Sequence, residues 1–119
     1  MTAQPDHTPD PAAVLGKAAG RAAAAFGLTG SELATIIGRD RSSIARAGID
    51  PASKAGELAL LLVRSYRSLA VLVDGNEAQL KQWLRTDNAH TGGVPLEQLR
   101  SVSGLVTVVG YLDAIRGRV

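Results

Sequence analysis

Apolar residues recur along this chain at three- and four-residue steps, and the steps are interrupted at regular intervals by glycine, Asp-Pro and Asn/Gly signals. Over residues 11–26 the stripe is Val14, Leu15, Ala18, Ala22, Ala25 and Phe26. Asp10 stands before it as an N-cap, Pro11 takes the first helical position and Gly27 closes the helix. Thr29 and Glu32 form a capping box that opens a short second helix to Ile37. Gly38 breaks that helix, Asp40 caps a third over residues 41–47, and Gly48 ends it. Asp50-Pro51 again has the form of a helix start. It predicts a long fourth helix over residues 52–73, with Leu58, Leu61, Leu62, Leu69, Leu72 and Val73 on its apolar face and Ala55 and Ala59 in support. Arg64, Ser65, Arg67 and Ser68 fall on its other faces, and Asp74-Gly75-Asn76 is a turn.

A second unit follows. A helix over residues 77–84 turns Leu80, Trp83 and Leu84 inward, with Trp83 expected as a core anchor. Residues 85–93 form a polar loop, and Pro95 opens a short helix through Leu96 and Leu99. Gly104 is expected to precede the last helix, whose inner face is Leu105, Val108, Val109, Leu112 and Ile115. The β-branched run there would suit a strand. The steps of three and four continue through it, so a helix is expected. Gly117 ends it, and the last four residues are expected to pack against nothing. The expected architecture is all-α: a tail over residues 1–10, a helical unit over 11–74 and a smaller one over 75–119.

Ala34, Gly38 and Ile44 have the spacing of a helix-turn-helix, and each has a mechanical reason. Ala34 lets two helices cross closely, Gly38 takes the positive φ of a tight turn, and Ile44 packs the second helix onto Leu33 and Ile37. The second helix of such a pair lies in the DNA major groove with its N-terminal residues on base edges. That arrangement makes Arg41, Ser42, Ser43 and Arg46 the candidate DNA contacts, with Arg39 in the turn near phosphates. The charge pattern sharpens the expectation. Residues 11–72 carry eight Lys/Arg against four Asp/Glu, whereas residues 73–119 carry five of each.

Composition removes several classes of chemistry. There is no cysteine, so no disulfide framework and no thiolate metal site, which fits a reducing cytoplasm. The two histidines, His7 and His90, stand far apart and make no metal-ligand spacing. Gly92-Gly93 lacks the Lys-Ser/Thr that a phosphate loop requires. No catalytic residue, metal site or cofactor is expected. The first ten residues are polar rather than leader-like, and the longest apolar run stops at Arg64, far short of a membrane span.

The second unit resembles the toxin-binding domain of the Xre/MbcA/ParS antitoxin family. The matching series is Trp83-Leu84, a loop with Asp87-Asn88, then Gly92-Gly93-Val94-Pro95-Leu96-Glu97-Gln98-Leu99, Ser103-Gly104, and a helix with Leu112, Ile115 and Gly117. The first unit is similar to that family's Xre-like helix-turn-helix, so the resemblance covers nearly all of the chain after residue 10. It implies a non-catalytic antitoxin whose partner is a RES-domain toxin, an enzyme that consumes NAD or uses it for ADP-ribosylation. Such antitoxins cover the toxin's NAD pocket partly with their C-terminal end. Here that end is Arg116, Gly117, Arg118 and Val119, with the loop residues Asp87, Asn88, Gly92 and Gly93 as further candidate toxin contacts. The resemblance also implies a homodimer and repression of the antitoxin's own operator DNA. The first helix departs from the family in its richness in Ala and Gly. The alternative reading is a stand-alone helix-turn-helix regulator whose second unit only dimerises.

Overall fold

Seven helices make up most of residues 10–117, the part of the chain that the computed structural model describes. They are α1 (Pro11–Phe26), α2 (Gly30–Ile37), α3 (Arg41–Ala47), α4 (Lys54–Leu72), α5 (Glu77–Arg85), α6 (Pro95–Gln98) and α7 (Val102–Gly117). Residues 1–9 of the expected tail and the roles expected of Arg118 and Val119 lie outside the described residues. The β-branched run at residues 106–109 is helical.

Local chemistry explains most boundaries. Asp10 accepts from the Ala12 N–H at 3.1 Å and starts α1, while Gly27 leaves it at φ 79°. The α2 capping box is complete: the Glu32 N–H donates to Thr29 Oγ1 at 3.0 Å, and the Thr29 N–H donates to Glu32 Oε1 at 2.9 Å. Gly38 turns at φ 74°, and Asp40 caps α3 through the Ser43 N–H at 3.1 Å. Gly48 then seats on the first turn of α1, where a Cβ would overlap the Ala12 carbonyl oxygen. The next N–H, from Ile49, donates to that same oxygen at 2.9 Å. This strap fixes α3 and its turn to α1.

Two helix starts differ from expectation. Asp50 does not cap α4: it closes a turn, accepting from the Ala52 N–H at 3.0 Å, and the cap is Ser53, which accepts from the Gly56 N–H at 3.0 Å. The turn folds back over the helix so closely that a Cβ on Gly56 would overlap the Asp50 carbonyl oxygen. Gly104 does not precede α7. It lies inside the first turn, its N–H donating to Ser101 Oγ at 3.1 Å, because a side chain there would overlap the Gln98 carbonyl oxygen.

The core is built around α4, which packs against α1 on one side and α7 on the other. Leu58, Ala59, Leu62 and Leu69 are buried, together with Val63, Ser65 and Ser68, so the buried arc is wider than one apolar stripe. Both serines were expected on other faces. Ser65 satisfies its hydroxyl by donating to the Leu62 carbonyl at 2.7 Å. Leu72, expected inside, is 44% exposed. On α1 the buried stripe is Leu15, Ala19, Ala22, Ala23 and Phe26, and Val14 is outside. The small buried residues Ala19, Ala22 and Ala23 suit the close packing of α1 against its neighbours, α4 chief among them.

Two contacts fix the direction of α7. Arg64 grips Asp113 with Nη2 at 2.6 Å and Nε at 3.2 Å, and Arg116 Nη1 donates to Ser68 Oγ at 3.3 Å. Both numbers rise together, so α4 and α7 run parallel. Parallel neighbours require a long return, which α5, the loop and α6 supply.

Candidate functional site

Residues from both units reach the surface in two places. The first is the outer side of α3. Arg41, Ser42 and Arg46 are exposed there, as the helix-turn-helix spacing predicts. Ile44 is half-buried and packs against the core, which orients α3. Ser43 differs from expectation: it is half-buried, and its hydroxyl donates to Asp40 Oδ2 at 3.2 Å, so it serves the cap. Arg39 is half-buried in the turn and lines a cleft with Ile36, Lys54, Leu58 and Val102. Arg46 lines a cleft of about 310 Å³ between α3 and α1, where Lys17 adds a second cation.

Helix N-termini often hold phosphate through their free N–H groups. The start of α2 is occupied already. Glu32 takes the Thr29 N–H and also pairs with Arg100 Nη2 at 3.0 Å. The Thr29 N–H and, more weakly, Arg100 hold the Glu32 carboxyl below its ordinary range, against an opposing effect of desolvation. Arg41 lies over the same turn, its Nε 3.0 Å from the place a Cβ on Gly30 would take. The Glu32–Arg100 pair also ties α2 to the corner between α6 and α7, joining the two units away from α4.

The second surface is the loop between α5 and α6. An isolated β-bridge joins Asn88 to Gly93, with the Asn88 N–H donating to the Gly93 carbonyl at 2.8 Å. The Asn88 side chain accepts from the His90 and Thr91 N–H groups at 2.8 and 3.2 Å, and Gly92 takes φ 82°. Gln98 Nε2 donates to the Thr91 carbonyl at 2.6 Å and holds the loop to α6. Three of the four loop candidates, Asn88, Gly92 and Gly93, thus shape the backbone. Asp87 is exposed, and among the described residues it makes no hydrogen bond or ion pair.

The loop presents two residues with α5 and α7 behind them. Tyr111 of α7 stacks on His90 at 5.3 Å and on Trp83 at 6.4 Å, each pair within 9° of parallel. Trp83 is half-buried rather than a full core anchor, and His90 is exposed. His90 and Tyr111 were not among the sequence candidates. Their residue types were the only signal, because each comes from a different element. At the end of α7, Arg116 is tied to Ser68, which corrects the expectation that it packs against nothing, and Gly117 closes the helix. Among the described residues, no cluster of His, Asp or Glu could hold a metal, and no helix is long and apolar enough to cross a membrane.

Comparison with protein families gives two matches. Residues 5–64 match the antitoxin Xre-like helix-turn-helix domain, and residues 68–118 match the antitoxin Xre/MbcA/ParS C-terminal toxin-binding domain. The two matches come together within α4. No curated protein matches the chain.

Proposed function

This chain belongs to the Xre/MbcA/ParS antitoxin family, and from that membership we propose that it neutralises a RES-domain toxin by covering its NAD pocket. The observation that carries the reading is the match of residues 68–118 to a toxin-binding domain. The chemistry is that of an inhibitor rather than a catalyst. The toxin-facing residues in this reading are Asp87 and the 88–93 loop, with the end of α7 and the residues after it. Arg116 to Val119 enter or cap the pocket, and an arginine there pairs with acidic or polar groups of the toxin.

A second role in this reading is repression of the operon through Arg41, Ser42 and Arg46, with Arg39 on phosphate. The exposed arginines and the helix-turn-helix match support it. The chain acts as a homodimer in this reading. Leu60, Val71, Val102 and Val106, about half exposed on α4 and α7, offer apolar surface for it.

Co-expression with the RES-domain toxin of the adjacent gene tests the principal claim. The intact pair is expected to co-purify and growth arrest to be relieved. Removing residues 116–119 should weaken neutralisation more than it lowers the melting temperature. Full neutralisation by the truncated chain would remove the pocket-covering mechanism, and failure of the intact pair to associate would remove the toxin partner.

A further inference from the structure

The three stacked rings beside the 88–93 loop lie at the edge of the C-terminal unit, where Trp83 and Tyr111 pack against the core and His90 is exposed. That unit already has its core in Leu80, Leu84, Leu99, Leu105, Val108 and Leu112, all buried. The chain carries only four Phe, Trp and Tyr residues, and two of them, Trp83 and Tyr111, sit half-buried in this column. The column is assembled from α5, the loop and α7, so three elements hold its geometry. His90 is held at its backbone, where its N–H donates to Asn88 Oδ1 at 2.8 Å. Its ring lies on Tyr111 with the residue open to solvent. Rigid aromatic groups, fixed before binding and partly dry, are where protein interfaces concentrate their affinity.

The acidic residue that leads into the loop selects the partner group. Asp87 is exposed, immediately before the bridge that closes the 88–93 loop and three residues before His90 in sequence, and its carboxylate has no hydrogen-bond or ion-pair partner among the described residues. A planar cation answers both features: it stacks on a ring face and accepts the pull of a carboxylate. A lysine ammonium cannot stack in this way, and a purely apolar side chain would leave Asp87 unpaired. We infer that the Trp83–Tyr111–His90 column is the docking anchor of the toxin-binding unit, and that it receives an arginine of the toxin, with Asp87 as the guanidinium's counter-ion. The inference rests on the toxin-partner reading above and adds a contact separate from the residues after α7.

The test uses the full chain and a catalytically inactive form of the adjacent gene's toxin. His90→Ala should weaken the complex about tenfold, the scale of one lost anchor contact. Asp87→Asn should weaken it several-fold and flatten the salt dependence of binding. The melting temperature of each variant, and hydrogen exchange at the loop amides, separate a lost contact from a lost fold. Trp83 is the sole tryptophan, so its quenching by iodide should fall when the toxin binds. Wild-type affinity in both His90→Ala and Asp87→Asn, or unchanged quenching in the complex, would overturn the anchor while leaving the toxin partnership intact. Loss of affinity that tracks loss of loop protection would also overturn it, assigning the stack to loop structure. No binding by the wild-type chain would remove the toxin reading itself, and the anchor with it.

Discussion

At the scale of single residues, two glycines of α7 have opposite reasons for being there. Gly104 is required, because a Cβ would overlap the Gln98 carbonyl oxygen. Gly110 is exposed, and a Cβ there would meet nothing. Gly104→Ala should therefore cost about 1–3 kcal/mol through overpacking. Gly110→Ala should stabilise by roughly 0.5–1 kcal/mol, because alanine is the better helix former. Urea unfolding of the two variants measures both signs. From the sequence, Gly104 looked like a helix breaker because glycine usually is one. The true cause is a carbonyl six residues away in the chain, and periodicity carries no sign of it. The same limit hid the aromatic column. Trp83, His90 and Tyr111 lie on three elements, and no local pattern brings them together.

Helix boundaries were legible where the cap is a local affair. Asp10, Thr29 with Glu32, and Asp40 all cap as their spacing predicts. Asp50-Pro51 misled because it offers the same signal to a turn, while the true cap, Ser53, depends on Gly56 accepting the folded-back turn. The α4 face was only partly legible, since a helix packed from two sides hides residues outside one stripe, Ser65 and Ser68 among them. The α2 cap also carries a pH dependence. The Glu32 carboxyl is depressed by the Thr29 N–H and by Arg100. A depressed acid stabilises the fold above its unfolded pKa, and that contribution is lost as pH falls through the lower, folded value. Glu32→Gln should therefore show a flatter loss of melting temperature on acidification than the wild type. An identical acid profile in the two proteins would rule the contribution out.

For the molecule as a whole, the family assignment and the all-α architecture were legible, because they rest on motif order and period. How the two units meet was not. The turn at Asp74-Gly75-Asn76 looks like a boundary in sequence, whereas α4 supplies packing surface to α1 and α7 alike. Glu32–Arg100 and Arg64–Asp113 add bridges across the chain. Such a molecule should unfold in one step. Calorimetric and van't Hoff enthalpies are expected to agree, and circular dichroism and Trp83 fluorescence to give one midpoint. Two separated transitions would show that the units are independent.

The parallel pairing of α4 with α7 also makes α4 a torsional coupling. Each added residue turns the far half of a helix by about 100° relative to the near half. One residue inserted between Arg64 and Ser68 would turn these two α7 partners out of phase, so that the Asp113 and Arg116 ties could not both form. Exchange of halves between two members of the family is then governed by helical phase as much as by sequence. Junctions that preserve the turn count keep the faces of α4 that meet α1 and α7 in register, and junctions that break it pull those two packings apart.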